Sequence, residues 1–146
     1  MMQSDSPMDS FRSALKSKGL KVTPQRLAVH SAMLALGHAS ADMVCDLISE
    51  KGEVKVTVSS VYNILSQLSL LGIYSYRLSA SNKMFFDVNT YRHIHLYDIT
   101  NDEYRDIVDD DLMAAVDERL SRRRFKGYKV DRIDIQIVCH PSQKKM

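Results

Sequence analysis

The chain is poor in cysteine, contains no tryptophan and has no long apolar run. Its two cysteines, Cys45 and Cys139, lie far apart and form no CxxC pair. One chain therefore cannot build a thiolate zinc site from them, and a structural disulfide is not expected. The lack of a membrane-length apolar segment and of a cationic-then-apolar leader predicts a cytoplasmic protein without membrane contact. The 146 residues suffice for one medium domain or for two small ones that share an interface.

Acidic residues are missing from a stretch near the N-terminus. The formal net charge of the whole chain is only +2, which does not by itself indicate a polyanionic partner. Between Ser10 and Ala41, however, there is no acid, and the stretch carries five cationic side chains, at Arg12, Lys16, Lys18, Lys21 and Arg26. A basic segment of this kind is compatible with contacts to phosphate, although a solvated helix face also produces it.

The first half of the chain has the pattern of a winged helix. Residues 1–9 are polar and show no periodicity, which predicts a disordered tail. Helical spacing and capping signals then predict four helices, at residues 10–19, 23–37, 40–50 and 57–72. Two strand candidates follow, at residues 73–78 and 83–88. Because helices followed by a hairpin are typical of winged helices, whose last helix enters the DNA major groove, we predict a DNA-binding domain over residues 10–88.

The second half starts a different pattern after a hinge at residues 89–92. It predicts strands at 93–99 and 104–108, a helix at 112–125 and a long half-buried strand over 130–139. Acids at 109–111 open that helix and arginines at 122–124 lie at its end, as its dipole favours. So small a β-α-β unit leaves its sheet incompletely covered, which favours a homodimer. The predicted fold class is therefore α+β, with a dimerisation domain at residues 93–140 and a polar tail at 141–146.

Potential metal ligands cluster around the sequence His93-Ile94-His95. Side chains alternate faces along a strand, so the two imidazoles point to the same side, about 7 Å apart along the backbone. Carboxylates occur nearby in the sequence, at Asp87, Asp98, Asp102, Glu103 and Asp106. The cluster is compatible with a shared metal ion, and two solvated histidines on a strand are the alternative.

The same ligand types occur in non-haem iron enzymes, where two histidines and a carboxylate bind Fe(II). Against an enzyme stand the short chain and the absence of a tryptophan-lined or arginine-lined substrate cavity in the sequence. An enzyme would also have no need of a basic winged-helix half. We therefore predict a protein that is not an enzyme.

The chain resembles the ferric uptake regulator superfamily in five successive stretches, which are LKSKGLKVTPQRLAV, GHASADMV, VTVSSVYNILSQLSLLGI, MFFDVN and RHIHLYD. They cover roughly Leu15 to Asp106, and the remainder to Cys139 matches more loosely. The resemblance implies a metal-dependent, DNA-binding repressor that contains a winged helix, a hinge and a β-α-β dimerisation domain.

The resemblance also implies a regulatory metal site on five residues of this chain, His38, Asp87, His93, His95 and Asp106. Three imidazoles and two carboxylates without a thiolate suit Fe(II) or Mn(II), and Zn(II) would bind in vitro. His38 lies within the winged-helix domain, whereas Asp87 lies at its end beside the hinge and the other three ligands follow the hinge. A bound ion is therefore expected to tie the two domains together, so that a dimer matches two operator half-sites.

Departures from the family pattern indicate which branch of the family, and therefore which sensed signal, to expect. The two CxxC pairs that hold a structural zinc in many members fall on Asp98 and Asn101 and on Cys139 and Ser142, so no structural zinc is expected. Asp106 stands where iron-sensing members tend to have glutamate, which favours the peroxide-responsive branch.

Peroxide is then expected to oxidise His38 or His93 at an Fe(II) site and to release metal and DNA. The alternative is the iron- or haem-responsive iron-response branch, which also lacks the zinc cysteines. Its histidine triplet and Cys-Pro haem motif are missing here.

Seven residues are candidates for DNA contact, Lys21, Ser59, Ser60, Tyr62, Asn63, Arg77 and Lys83. The resemblance implies Lys21 in the minor groove and Tyr62 against a thymine methyl or base edge, with helix packing as the alternative for Tyr62. Asparagine prefers adenine, so Asn63 predicts an A/T-rich operator. A homodimer that reads two half-sites predicts that the operator is also palindromic. The two serines are candidates for phosphate contact at the helix start, and Arg77 and Lys83 for phosphate contact on the wing.

Overall fold

A computed structural model describes residues 6–88, 94–130 and 133–142 of the chain. The chain divides into two compact units, Met1–Thr90 and Tyr91–Met146. The boundary between them falls within the predicted hinge at residues 89–92. The predicted hinge and His93 lie outside the described residues, as do residues 1–5 of the N-terminal tail, residues 131–132 of the last predicted strand and residues 143–146 of the C-terminal tail. Along the part of the chain that is described, no helix is long and apolar enough to cross a membrane.

Four helices form most of the first unit: α1 (Pro7–Ser17), α2 (Pro24–Leu36), α3 (Ala41–Lys51) and α4 (Val58–Leu70). Each starts after a serine or threonine whose hydroxyl accepts a backbone N–H of the first turn. The prediction of a disordered tail up to residue 9 is wrong for its last residues, because Ser6 caps α1 and Pro7 occupies the first helical position. The other three helices confirm the predicted starts.

A three-stranded antiparallel sheet completes this unit. Its strands are β1 (His38–Ala39), β2 (Ser75–Leu78) and β3 (Met84–Asp87), in the order β1-β3-β2. The hairpin of β2 and β3 confirms the two predicted strands. In its turn, Asn82 adopts a positive φ. Strand β1 was not predicted, because two residues are too few to show a period of two.

The core of the first unit lies between the helices and β3. Helix α4 buries Val61, Leu65 and Leu68 and leaves its opposite face to solvent, while Phe86 brings the sheet into the same cluster. Truncating a leucine buried this completely to alanine costs about 2–5 kcal/mol in most proteins. The packed core therefore holds α4 firmly on the unit.

The second unit contains a second three-stranded sheet and one helix. Its elements are β4 (Ile94–Asp98), β5 (Glu103–Ile107), α5 (Asp110–Ser121) and β6 (Gln136–Cys139). The strand order is β5-β4-β6, with β5 antiparallel and β6 parallel to β4. Together with the winged helix of the first unit, this β-α-β arrangement confirms the predicted α+β fold class.

For two elements of the second unit, the helix α5 and the strand β6, the predicted limits are wrong. Helix α5 ends at Ser121, so two of the three arginines lie beyond its cap at Arg122. Among the described residues of the strand predicted over 130–139, those that pair with β4 run from Gln136 to Cys139, opposite His95 to Asp98. Nor is that strand half-buried in a single chain, since Ile137 is 43% exposed and Val138 56% exposed.

Candidate metal centre

The first group of potential metal ligands lies on the sheet of the winged helix. Gly37 ends α2 at a φ of 75°, a backbone region that favours glycine, and the chain then enters β1 with His38. His38 is the Cα partner of Asp87 on β3. The Nε2 atom of His38 lies 2.9 Å from Oδ2 of Asp87, and both side chains are largely buried. The pairing of β1 with β3 therefore brings together two of the five predicted ligands.

The chemistry of this pair fits a divalent metal. Two atoms that bind one ion at a right angle lie about 3 Å apart, because each metal–ligand bond is about 2.1 Å long. The observed separation suits that arrangement, and it equally suits an ion pair between an imidazolium and a carboxylate. Imidazole and carboxylate are donors that Fe(II) and Mn(II) accept. Burial also favours a cationic partner for Asp87, because a buried carboxylate is costly without one.

The second group lies on the sheet of the second unit. His95 on β4 is the Cα partner of Asp106 on β5, and its Nδ1 atom lies 3.7 Å from Oδ1 of Asp106. This distance is too long for a hydrogen bond. It is close to the separation of about 3.6 Å expected for two ligand atoms that subtend about 120° at one ion. Tyr104 packs edge-on against the imidazole, with 6.4 Å between ring centroids.

Sequence reasoning missed one further carboxylate beside His95. Oδ1 of Asp134 lies 3.6 Å from Nε2 of this histidine. No sequence pattern around Asp134 predicts this proximity, because the distance between Asp134 and His95 depends on the register between β4 and the β6 segment. His93, the remaining predicted ligand, lies outside the described residues.

The position expected to have lost a zinc cysteine has a different structural role. Oδ1 of Asp98 accepts the backbone N–H groups of Thr100 and Asn101, and the Asn101 amide donates to Oδ2 of Asp98 at 2.7 Å. The hydrogen bond from the Asn101 side chain is the main cause that holds the pKa of Asp98 below its ordinary value. Asp98 and Asn101 therefore close the hairpin between β4 and β5.

Three of the predicted DNA-contacting residues lie exposed on α4. Ser59 and Asn63 face solvent, and Tyr62 is 43% exposed. The ring of Tyr62 also packs edge-on against Phe86, with 6.0 Å between centroids. Both interpretations of this tyrosine are thus compatible with its position, because one ring edge packs while much of the side chain remains accessible.

Ser60 is engaged at the start of α4. Its hydroxyl accepts the backbone N–H of Thr57 at 3.0 Å and donates to the Thr57 carbonyl at 2.9 Å, while the Thr57 hydroxyl accepts the N–H of Ser60. This is a capping box in which serine takes the place of the usual glutamate or glutamine. The hydroxyl hydrogen of Ser60 is therefore already donated within the helix start.

The basic candidates occupy the edges of the first unit. Lys21 and Lys83 are exposed, and Arg77 on β2 is partly buried. Arg26, which was predicted only as part of the basic segment, donates to the carbonyl of Lys21 at 2.7 Å and to Oε1 of Gln67 at 3.1 Å. This arginine thereby ties the loop that carries Lys21 to α4.

Comparisons with known proteins agree on one family. The model of the ferric uptake regulator family matches residues 17–137. The peroxide-responsive repressor PerR of Staphylococcus epidermidis is 27% identical over 93 residues, which are 63% of this chain and 61% of that protein. The match thus spans less than two thirds of this curated relative.

Solved structures of such regulators have the same fold. The ferric uptake regulator of Vibrio cholerae superposes with a TM-score of 0.75 at 23% identity, over 90% of this chain and 99% of that one. The ferric uptake regulator of Pseudomonas aeruginosa with manganese gives 0.72 at 21% identity, over 90% and 98%. The peroxide stress regulator of Campylobacter jejuni gives 0.65 at 17% identity, over 97% and 100%.

Proposed function

The chain belongs to the ferric uptake regulator family, and on that premise we propose that it is a transcription repressor whose affinity for DNA depends on a bound divalent metal ion. Members of this family are transcription regulators and not enzymes, which removes the non-haem iron enzyme alternative. The observation that carries the proposal of metal dependence is the buried pair of His38 and Asp87, held in register by two strands of the winged helix.

The proposed metal site consists of the five predicted residues, His38, Asp87, His93, His95 and Asp106. Its support is the pairing of His38 with Asp87 inside the first unit and of His95 with Asp106 inside the second. Both groups offer only nitrogen and oxygen donors, so Fe(II) or Mn(II) is the proposed ion. A bound ion would supply positive charge that offsets the negative charge of the carboxylates. Because it would bind residues of both units, the distance between the two DNA-reading helices of a homodimer would depend on metal.

The proposed DNA-reading element is α4. Tyr62 and Asn63 are accessible on its solvent face, and an asparagine that bonds adenine favours an A/T-rich operator. Lys21, Arg77 and Lys83 are proposed to contact phosphates, and two copies of α4 in a homodimer would read a palindrome. Of the two serines, Ser59 is the better candidate for a phosphate contact, because the hydroxyl of Ser60 is bonded to Thr57.

Peroxide is the proposed signal. Its support is Asp106 in the ligand set, together with the similarity to the peroxide-responsive repressor of Staphylococcus epidermidis. One oxygen atom from peroxide would add to the imidazole of His38 or His93, and water would leave. An oxidised imidazole is a poorer ligand, so metal and DNA would be released. An iron or haem signal is the competing proposal.

Metal dependence is tested by DNA binding. A duplex that the wild-type protein selects from a random pool with Mn(II) is titrated by fluorescence anisotropy with Mn(II), anaerobic Fe(II), Zn(II) or a chelator. We expect at least tenfold tighter binding with metal for the wild type and loss of that difference in His38→Ala. The exposed His140 offers a matched control, and His140→Ala should behave as the wild type. Equal wild-type affinity with metal and with chelator would reject the proposal.

The peroxide signal is tested by mass spectrometry. The Fe(II) and Mn(II) forms are treated with peroxide, digested and searched for one added oxygen. We expect the addition on the peptides that contain His38 or His93 in the Fe(II) form, with loss of DNA binding, and none on the peptide that contains His140. An Fe(II) form without oxygen on either ligand histidine would overturn the peroxide proposal and favour an iron or haem signal.

A further inference from the structure

His95 has a carboxylate beside each of its two ring nitrogens. Asp106 lies on the Nδ1 side at 3.7 Å, and Asp134 lies on the Nε2 side at 3.6 Å. All three residues belong to the second unit. Neither distance is a hydrogen bond, but both carboxylates are close enough to reach the ring after a shift of less than about 1 Å.

Backbone pairing fixes Asp134 next to the histidine. The N–H of His95 donates to the carbonyl of Ile135 at 3.0 Å, and Gln136 is the Cα partner of His95 in the parallel ladder. Side chains at positions 134 and 136 share one face of an extended segment, and parallel register puts that face on the side of His95. The proximity of Asp134 is therefore a consequence of sheet register.

The two carboxylates differ in accessibility. The Asp106 side chain is 12% exposed and that of His95 is 10% exposed, whereas Asp134 is 49% exposed. An imidazole gives a metal ion only one of its nitrogens, and the neutral ring carries its proton on the other. If Asp106 and His95 bind the same ion, the ion lies on the Nδ1 side and the proton is on Nε2, facing Asp134.

We propose that Asp134 is a positioning residue of the metal centre, which accepts the Nε2–H of His95 and holds Nδ1 toward the ion. This inference rests on the metal site proposed above and adds to it a residue that the five-ligand set does not contain. A carboxylate that accepts the outer N–H of a metal-bound histidine fixes the ring orientation and raises the basicity of the ligand. Losing such an outer partner typically weakens metal binding about 10–100-fold.

The test uses Co(II) as the probe, because its visible absorption reports the number and geometry of its ligands. The full-length wild type, Asp134→Ala, Asp134→Asn and Asp106→Ala are titrated anaerobically, and circular dichroism checks that each variant is folded. Asp111, an exposed aspartate in the first turn of α5, provides the matched control as Asp111→Ala.

We expect Asp134→Ala to bind Co(II) about 10–100-fold more weakly while the spectrum of its saturated complex stays that of the wild type. Asp134→Asn should recover part of the affinity, because the amide oxygen still accepts the Nε2–H. Asp106→Ala should change the spectrum, since it removes a ligand, and Asp111→Ala should change neither property.

Two results would overturn the inference while leaving the proposed function in place. One is wild-type affinity in Asp134→Ala. The other is a spectrum of Asp134→Ala that changes as in Asp106→Ala, because Asp134 would then be a ligand itself. Failure of the wild type to bind Co(II) or Mn(II) would instead overturn the proposed metal site, and this inference with it.

Discussion

At the scale of single residues, His30 is a histidine of the core and not a ligand. Its ring stacks on Phe11 with 3.9 Å between centroids and 3° between planes, and its Nδ1 atom lies 2.7 Å from the hydroxyl of Tyr74. Burial lowers the pKa of His30 to about 4 and raises that of Tyr74. Both groups are therefore neutral in the folded protein at neutral pH.

Burial of His30 should make the stability of the first unit depend on pH. The pKa of His30 is below its unfolded value of 6.5, so the unfolded chain binds the proton more readily. The contribution of neutral His30 to stability is therefore fully present above about pH 6.5 and is lost as the pH falls toward about 4. At about 1.4 kcal/mol per pKa unit, this loss is at most about 3–4 kcal/mol. Urea denaturation at several pH values measures this slope. His30→Phe should reduce it and the exposed His140→Phe should not, so equal slopes in all three proteins would contradict the prediction.

At the scale of elements, α4 combines a packed face with a free one. Its apolar face is held by the core, and its start is held by the reciprocal hydrogen bonds of Thr57 and Ser60. On the opposite face, Ser59, Tyr62 and Asn63 remain accessible for a ligand. Because the backbone of a helix anchored in this way is already ordered, binding to DNA would cost ordering entropy mainly in its side chains.

Removing the N-cap of α4 should lower the free energy of unfolding of the protein. Thr57→Ala leaves the N–H of Ser60 without its side-chain acceptor and should lower the free energy of unfolding by about 1 kcal/mol. The neighbouring Ser59→Ala, which removes an exposed hydroxyl with no such bond, should change stability by less than about 0.5 kcal/mol. Denaturation of both variants measures the difference. Equal stability of Thr57→Ala and the wild type would show that the capping box contributes nothing.

At the scale of the whole molecule, the second unit leaves apolar side chains uncovered. Ile137 and Val138 on β6 are about half exposed, as are Val108 and Leu112 at the start of the α5 segment. We refer to these four residues as the exposed apolar surface; in the described part of the second unit, Ile99, Phe125, Tyr128 and Val130 are exposed as well. An apolar surface of this kind on a three-stranded sheet is expected to pack against another protein surface. Family membership favours a second copy of the chain as that partner.

A charge placed in the exposed apolar surface should therefore weaken the homodimer. Ile137→Lys would bury a cation without a partner if the surface were covered, so we expect at least a tenfold rise in the dimer dissociation constant, measured by sedimentation equilibrium. Leu70→Lys, at an even more exposed apolar position of the first unit, serves as the control and should leave the constant unchanged. A dimer of wild-type strength in Ile137→Lys would mean that β6 lies outside the interface.

The parts of the fold that sequence patterns predicted correctly are those encoded within a few residues. Thr23, Ser40 and Thr57 each cap the helix they were predicted to start, because a hydroxyl reaches only the N–H groups of the next turn. The limits of α5 and β6 were predicted less well. The limits of β6 depend on its pairing with β4, and that pairing joins segments that are distant in the chain.

The candidate metal centre divides in the same way. The sequence alone determined the chemistry of the candidate ligands, which are imidazoles and carboxylates without thiolates, and it also determined the order of the two folding units. Only the tertiary structure decided that His38 lies on a strand opposite Asp87 and that Asp134 lies beside His95. The physical reason is that residue type acts locally, whereas strand register is set by hydrogen bonds between segments that are distant in the chain.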